Sequence, residues 1–319
     1  MAKTVDDVEL RELLGIDAHP ERPATPYTAD ARYFSSLDGF NIKRPPIPPH
    51  VFLSERDQAL GPTTPTGLIP LDLAPILGVD SPVTTPLILA RYARIRARET
   101  LTTTFRASAV LCYVIAGSGR TTFGEDGREA INWEPGDAFC LPGGSTIRHR
   151  AGASDAVLWV VTNEPQLAFE GLEPPAPGGA PIRPAHYPAG EIRRRLLAVH
   201  LDPRGATMPG RSVNFGNVAV EGQRTTTPTF TLAMNSLRPG ESQRAHRHNA
   251  VAVTLVVAGE RCYSMIEGKR VDWEPNAVMI TPPADLHSHH NEGRGMALFL
   301  IAQDGGLYYH CRTMGFSYV

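Results

Sequence analysis

The amino-acid sequence predicts an all-β protein made of two barrels, preceded by a short helix and a proline-rich arm. From about residue 85 to residue 162 the chain consists of short β-branched and aromatic runs separated by Gly, Pro and Asp, as at residues 110–115 and 156–161. The same pattern returns from about residue 212 to residue 319. A chain of 319 residues is long enough for two domains, and we expect these two to be alike.

The two β regions repeat each other, which indicates an internal duplication. Residues 114–119 read Val-Ile-Ala-Gly-Ser-Gly, and residues 256–261 read Val-Val-Ala-Gly-Glu-Arg. Asn-Trp-Glu-Pro-Gly-Asp at residues 132–137 is matched by Asp-Trp-Glu-Pro-Asn-Ala at residues 272–277. Pro followed by Gly or Asn is typical of a tight turn, so we predict left-handed backbone at Gly136 and Asn276.

The remaining segments divide the chain into four parts. Residues 1–84 combine a helix that opens with a capping box at Thr4 and ends at Gly15 with a proline-rich arm. Residues 85–164 form the first barrel, and residues 205–319 form the second. Between them, residues 165–204 are predicted to be a linker that contains a short helix at about residues 192–199.

Composition excludes several classes of protein. Lys and Arg number 31 against 33 Asp and Glu, so no strong field favours a nucleic acid or an anionic membrane as partner. The first residues lack the basic start and apolar run of a signal peptide, and no apolar stretch is long enough to span a membrane. We therefore expect a cytoplasmic protein. The four cysteines show no C-x-x-C spacing, which argues against a disulfide framework or a zinc knuckle.

Histidines carry the strongest chemical signal. His246 and His248 are two residues apart on a predicted strand, where alternation directs both side chains to one face. A third histidine, His287, follows a Pro-Pro turn about forty residues later. Neutral imidazoles suit iron, zinc, copper and nickel, and three of them leave other coordination positions open. The sequence therefore predicts a metal site on His246, His248 and His287.

These motifs resemble the paired motifs of the cupin superfamily. More narrowly, they resemble the bicupin ring-cleaving dioxygenases that act on gentisate, salicylate and 1-hydroxy-2-naphthoate, whose motifs read His-Arg-His and later His-x-His-x-Asn-Glu-Gly or close variants. Here they are residues 246–248 and 287–293. Ala252 and Val253 occupy the positions where many cupins carry a glutamate, as in the ring-cleaving group. The resemblance is close over about residues 205–305 and implies double-stranded β-helix, or jelly-roll, barrels.

One departure concerns which barrel binds the metal. In the familiar gentisate and salicylate enzymes the complete motif belongs to the first barrel, whereas here it belongs to the second. The spacing of the repeat aligns His246 and His248 with Thr104 and Arg106, and it aligns His287 with Ile147. We therefore predict that the first barrel is a degenerate cupin without metal that serves as a scaffold.

The resemblance implies a chemistry. It implies Fe(II) as cofactor and dioxygen as co-substrate, with extradiol-type cleavage between the carboxyl- and hydroxyl-bearing carbons of a small aromatic hydroxy-carboxylate such as salicylate or gentisate. The ring substituent stays open between hydroxyl, nitro, halogen, amino and a fused ring.

Further residues follow from strand faces and from the resemblance. His289 shares the strand face of His287 and is the candidate base for the phenolic proton. Arg211 lies roughly where the salicylate-type enzymes carry a substrate-binding arginine, so it is the candidate for the carboxylate. Asn235, Thr254 and Asn291 are candidate contacts for the substrate. Thr254 stands where those enzymes often have an arginine, which would make this pocket less positive.

Two other functions are compatible with the same histidines. One is a cupin lyase, isomerase or decarboxylase that uses a divalent ion as a Lewis acid without oxygen. The other is a non-catalytic protein that binds a metal or a small ligand. Exposed barrel edges and the proline-rich arm favour a homo-oligomer, a dimer or tetramer, under each of these functions.

Overall fold

A computed structural model describes residues 23–34, 44–124, 126–176, 178–204 and 210–319. The chain divides into two units, residues 1–45 and residues 46–319. In the first unit, helix α1 (Pro26–Asp30) begins with a capping box in which the hydroxyls of Thr25 and Thr28 each accept from the other's backbone N–H. The helix predicted between Thr4 and Gly15 lies outside the described residues.

The second unit is built mainly of antiparallel strands. Its first segment contains β1 (His50–Phe52), α2 (Leu53–Leu60), β2 (Gly67–Pro70) and α3 (Ala74–Leu77). The first barrel follows with β3 (Leu89–Ile95), β4 (Thr100–Thr104), β5 (Ala109–Ala116), β6 (Gly119–Phe123), β7 (Glu129–Trp133), β8 (Ala138–Pro142), β9 (Thr146–Ala151) and β10 (Ala156–Thr162). A connecting segment contains α4 (Glu164–Glu170), β11 (Ala185–Tyr187) and α5 (Ala189–Leu201).

The second barrel has the same construction. Its elements are β12 (Arg211–Phe215), the 3-10 helix η1 (Val218–Gln223), β13 (Thr231–Leu237), β14 (His246–His248), β15 (Ala252–Ala258), β16 (Cys262–Ile266), β17 (Lys269–Asp272), β18 (Val278–Thr281), β19 (His287–Asn291), β20 (Ala297–Gln303), α6 (Gly305–Cys311) and β21 (Phe316–Tyr318). The prediction of two β-barrels is confirmed.

Each barrel consists of a large sheet that faces a smaller one. In the first barrel the order β11-β8-β5-β10-β3-β2 faces β4-β9-β6-β7. In the second barrel the order β1-β18-β15-β20-β13-β12 faces β17-β16-β19-β14-β21. β1 and β2 therefore supply edge strands to the two large sheets, so part of the predicted arm belongs to the barrels. The predicted linker contributes β11 in the same way, and its helix α5 is longer than the sequence indicated.

Alternation along the strands separates three apolar cores. Each barrel has its own interior, represented by Trp133 and Phe139 in the first barrel and by Trp273 and Phe299 in the second. The outward faces of the two large sheets contribute to a third, shared core, and the residues that represent it are Tyr92, Trp159, Leu255 and Leu300. Burial of these side chains stabilises the packing of one barrel on the other, by about 25 cal/mol for each Å² removed from water.

The duplicated turns have the predicted conformation. Gly136 has a φ of 90° and Asn276 has a φ of 62°. Both lie in the left-handed region, which glycine enters without penalty and asparagine tolerates better than most residues. The duplication is therefore visible in backbone geometry as well as in sequence.

Strand pairing corrects the predicted equivalence between the barrels by one residue. His246 pairs with His287 across β14 and β19, and the equivalent of His287, Ile147, pairs with Thr103 across β4 and β9. The equivalents of His246 and His248 are thus Thr103 and Phe105, which are buried, and not Thr104 and Arg106, which are exposed. Because side chains alternate, a shift of one residue exchanges the two faces.

Two further expectations concern cysteines and membranes. All four cysteines lie in the described part of the chain and are free; Cys311 is exposed and the other three are buried. Among the described residues, no helix combines the length and the apolar character needed to cross a bilayer.

Candidate metal centre

Three histidines meet inside the second barrel. His246 and His287 are cross-strand partners on β14 and β19, and His248 follows His246 on the same face after one alternation. All three are buried, and one ring nitrogen from each lies within 4.8 Å of the others. In the part of the chain that the structure describes, this is the only cluster of three or more His, Cys, Asp or Glu side chains close enough to hold an ion.

Backbone carbonyls fix the orientation of all three rings. Nδ1 of His246 lies 2.8 Å from the carbonyl oxygen of Arg244, and Nδ1 of His287 lies 2.8 Å from that of Asp285. Nδ1 of His248 lies 2.7 Å from the carbonyl oxygen of Ala250. A carbonyl only accepts, so each Nδ1 carries the ring hydrogen and each Nε2 keeps its lone pair.

Burial keeps these rings neutral. Desolvation lowers the pKa of His246 and of His248 below the ordinary value. In His287 desolvation and the neighbouring His246 lower the pKa to about 3. A neutral imidazole is the form that binds a cation, so the site needs no loss of protons near neutral pH.

The donor set fits a divalent transition metal. Three Nε2 lone pairs that approach from one side match the imidazole sites of iron, zinc, copper and nickel. A site formed by three protein ligands leaves further positions open, and open positions are what distinguishes a catalytic site from a closed structural one. The geometry therefore supports a site that can hold a metal and a small molecule together.

The large sheet forms the wall opposite the histidines. Register pairing places Thr231, Gln303, Ala252 and Thr281 side by side across β13, β20, β15 and β18, all facing inward. Nε2 of Gln303 lies 3.3 Å from Nε2 of His248, so this row stands at the level of the metal site. Gln303 was not identified from the sequence. It is nevertheless the next inward-facing residue of β20 after Ala297, Phe299 and Ile301, since every second residue of a strand shares a face.

Two predicted substrate contacts lie on the same wall. Thr254 faces inward between Ile301 and Met279 and is fully buried, and its hydroxyl has no hydrogen-bond partner among the described residues. Asn235 also faces inward, beside Phe299, and its amide donates to the carbonyl oxygen of Ala233 at 3.2 Å. Contact of either residue with a substrate stays a prediction.

His289 belongs to a buried hydrogen-bond network. Trp273 Nε1 donates to the hydroxyl of Ser264, and that oxygen lies 2.8 Å from Nδ1 of His289. The hydroxyl oxygen has two lone pairs, so it accepts from the indole and can either accept from Nδ1 or donate to it, according to the tautomer of His289. The role of His289 as the base for the phenolic proton stays a prediction.

The first barrel repeats this network, although Thr103, Phe105 and Ile147 stand at the positions of the three histidines. Trp133 Nε1 donates to the hydroxyl of Thr121 at 2.8 Å, and that oxygen lies 2.7 Å from Nδ1 of His149. Burial lowers the pKa of His149 to about 4, so this ring is also neutral. The first barrel thus keeps the Trp–hydroxyl–His network although it lacks the three histidine ligands. We therefore infer that the network stabilises the barrel.

Arg211 is not brought together with the histidines. It pairs with Ser236 on the outward face of the sheet, where Nη1 lies 2.9 Å from Nδ1 of His200 and Nε lies 3.6 Å from the Glu241 carboxylate. Burial and the nearby arginines lower the pKa of His200, so the neutral ring accepts from Arg211 and donates to Ser236. A contact with a substrate would require Arg211 to leave these partners.

The polar atoms of the Asn291 side chain form hydrogen bonds with the surrounding backbone. Its amide nitrogen donates to the carbonyl oxygens of Leu237 and Gly295, and its amide oxygen accepts from the backbone N–H of Gly293. Every polar atom of this side chain thus has a partner within the fold. The predicted contact with a substrate has no free group to make it.

β21 brings two aromatic rings beside the ligands. It pairs with β14, which places Phe316 opposite His248 and Tyr318 opposite His246. The Phe316 ring stacks on that of His246 with centroids 5.0 Å apart, yet both aromatic side chains remain exposed to solvent. Arg244 lies over the Tyr318 ring at 4.8 Å. These residues form an aromatic edge next to the histidines.

Comparisons with known proteins agree with this geometry. Residues 234–302, which contain all three histidines, match the cupin domain family. The chain is 28% identical over 151 residues to 1-hydroxy-2-naphthoate 1,2-dioxygenase of Nocardioides sp. (strain KP7), across 47% of this chain and 38% of the relative. It is 32% identical over 79 residues to gentisate 1,2-dioxygenase of Ralstonia sp., across 25% and 22%. These matches confirm the predicted resemblance to ring-cleaving dioxygenases.

Solved structures extend the likeness to the whole fold. Salicylate 1,2-dioxygenase from Pseudoaminobacter salicylatoxidans, solved as a variant in complex with gentisate, superposes with a TM-score of 0.72 at 17% identity, covering 100% of this chain and 97% of that one. At such identity the match concerns the double-barrel cupin fold. In the two curated relatives, by contrast, the aligned segments span 38% and 22% of the length.

Proposed function

We propose that this chain, a relative of the bicupin ring-cleaving 1,2-dioxygenases, is an Fe(II)-dependent dioxygenase that opens a salicylate or gentisate ring in the cytoplasm as a homo-oligomer. The observation that carries the proposal is the convergence of three neutral Nε2 atoms on one point beside an inward wall of polar side chains. The curated relatives act on aromatic hydroxy-carboxylates by their names, and the matching region of this chain contains the three histidines.

The reaction breaks one ring bond and uses both atoms of dioxygen. The bond between the carboxyl-bearing and hydroxyl-bearing carbons breaks, the first carbon becomes a ketone and the second becomes a new carboxylate. All atoms of the substrate and of dioxygen are retained in the product. A ferrous ion on the three histidines supplies Lewis acidity toward the substrate oxygens and the electrons that activate dioxygen.

The protein supplies position and a controlled environment. The three carbonyl contacts hold the imidazoles in the metal-binding tautomer before any ligand arrives, so no reorganisation is needed. The interior beyond them is apolar around Phe299 and Trp273, and this surrounding excludes bulk water. The exposed rings of Phe316 and Tyr318 offer a flat face at which an aromatic substrate can enter.

Oxygen uptake tests this function. The protein, reconstituted anaerobically with Fe(II), is mixed with salicylate, gentisate and salicylates that carry amino, nitro or halogen groups. We expect oxygen consumption in equal molar amount to the loss of aromatic absorbance for at least one of them. Turnover that continues without oxygen would indicate a lyase, isomerase or decarboxylase instead, and binding without turnover would indicate a non-catalytic protein.

A further inference from the structure

The amide of Gln303 faces the nitrogen through which His248 would bind a cation. Nδ1 of His248 donates to the carbonyl of Ala250, so the Nε2 lone pair of His248 is the acceptor that faces the Gln303 amide at 3.3 Å. The other end of the amide is held by the hydroxyl of Thr231, which donates to Oε1 at 3.4 Å. A cation that takes this lone pair leaves the N–H groups of Gln303 without a partner beside the site.

Two hydroxyls on the same wall already lack partners. The oxygens of Thr254 and Thr281 are buried and find no hydrogen-bond partner in the part of the chain that the structure describes. The register of β15 and β18 makes these residues diagonal neighbours on the inward face. An unsatisfied buried hydroxyl destabilises the folded state, so its retention calls for a physical reason. An oxygen atom of a bound ligand between this wall and the histidines would satisfy it.

The wall carries no positive charge. At the inward-facing positions of the described strands β12, β13, β15, β18 and β20 there is neither lysine nor arginine. Arg211, on the opposite face of its strand, is engaged with His200 and Glu241. Recognition of an anionic substrate on this side must therefore use neutral donors.

We propose that Gln303, Thr254 and Thr281 form a neutral donor wall that binds the oxygen atoms of the substrate, in place of an arginine. The inference rests on the proposed function for the identity of the substrate, an aromatic ring with adjacent hydroxyl and carboxylate groups. Gln303 donates to the substrate oxygen nearest His248, and the hydroxyls of Thr254 and Thr281 donate to the remaining oxygen or to a polar ring substituent.

Substrate binding and stability together test the donor wall. The variants are Gln303→Met, Thr254→Val and Thr281→Val, and the matched control is Thr103→Val, which removes an equally buried and unpartnered hydroxyl from the first barrel. Calorimetric titration of the metal-loaded protein with salicylate, without oxygen, gives Kd. Thermal unfolding of the metal-free protein gives stability.

The wall predicts opposite effects on the two measurements. Thr254→Val and Thr281→Val should raise the unfolding temperature, as Thr103→Val should, because a methyl replaces an unsatisfied hydroxyl. The same two variants should raise the Kd of salicylate about three- to tenfold, and Gln303→Met about tenfold or more, whereas Thr103→Val should leave Kd unchanged.

The outcomes separate this inference from the proposed function. Unchanged salicylate binding in all three wall variants would overturn the donor wall while the dioxygenase proposal stands. If the metal-loaded wild-type protein binds neither salicylate nor gentisate, the proposed function itself fails. If Thr254→Val and Thr281→Val weaken binding and also lower the unfolding temperature, the two hydroxyls have a structural role and the inference is wrong.

Discussion

Replacing Ser264 by alanine tests whether the buried Trp–hydroxyl–His network supports the barrel. The hydroxyl makes two hydrogen bonds of 2.8 Å, one from Trp273 Nε1 and one with Nδ1 of His289, and Ser264 is fully buried. The substitution leaves the indole N–H of Trp273 without an acceptor and Nδ1 of His289 without its hydroxyl partner. Each of these two groups costs about 1–3 kcal/mol, so the free energy of unfolding should fall by roughly 2–6 kcal/mol.

The first barrel provides a matched comparison. Thr121→Val removes the equivalent hydroxyl between Trp133 and His149 with little change of volume, so a loss of similar size is expected. Ser264→Thr keeps the hydroxyl, as the first barrel does naturally, and should remain near wild-type stability. Urea unfolding of the metal-free proteins measures all three variants against the wild type.

The same variants examine the role of His289. If the network serves only the barrel, Ser264→Ala keeps the turnover per bound metal ion, whereas a base at His289 would lose activity with the hydroxyl that orients it. A change in unfolding free energy below about 0.5 kcal/mol for Ser264→Ala would refute the reasoning from unsatisfied groups.

Three further predictions concern stability and thiols. Burial raises the pKa of Asp304 to about 6, so wild-type stability should fall as pH rises from about 4 to 6, while the unfolded carboxyl ionises first. Asp304→Asn should remove this fall. The gain in unfolding free energy of the variant over the wild type, measured by urea unfolding, should be larger at pH 8 than at pH 4 by up to roughly 3 kcal/mol; equal gains at both pH values would contradict the prediction. Asn276→Ala should lower the thermal midpoint and Asn276→Gly should not, because φ is 62° there; an unchanged midpoint in Asn276→Ala would oppose this. Aromatic disulfide reagents should label one thiol, Cys311, in the native protein and four after unfolding; rapid native labelling of more than one would contradict the burial of Cys112, Cys140 and Cys262.

Alternation and turn chemistry made much of the metal centre predictable from sequence. His246 and His248 had to share a face once their segment was a strand, and the Pro-Pro turn placed His287 on a neighbouring strand. The duplicated turns were equally local, since Gly136 and Asn276 need only their own backbone conformation. Features that depend on one strand and its turn are specified by nearby residues.

Features that depend on pairing between strands were harder to predict. The ligand equivalents in the first barrel were displaced by one residue, to Thr104 and Arg106, because the spacing of the repeat differs between segments and a single step exchanges inward and outward faces. Arg211 was selected by its position along the chain, but its pairing with Ser236 turns it outward. The sequence of one strand does not specify its register against its neighbours.

Gln303 was missed for a related reason. It ends an apolar strand as a lone polar residue, which is also common where a strand simply reaches solvent. Its proximity to His248 is created by the closure of the barrel, which brings β20 opposite β14. Contacts across a barrel interior join segments far apart in sequence.

The most direct test of the metal centre is the metal content and oxygen uptake of the wild-type protein and of three single variants, His246→Ala, His248→Ala and His287→Ala. Each protein is reconstituted anaerobically with Fe(II), freed of excess metal, and assayed with salicylate and gentisate. Convergence of the three Nε2 atoms predicts one ion per wild-type chain, together with loss of tight binding and of oxygen uptake in every variant. Full metal content and unimpaired oxygen uptake in any one of the variants would contradict it.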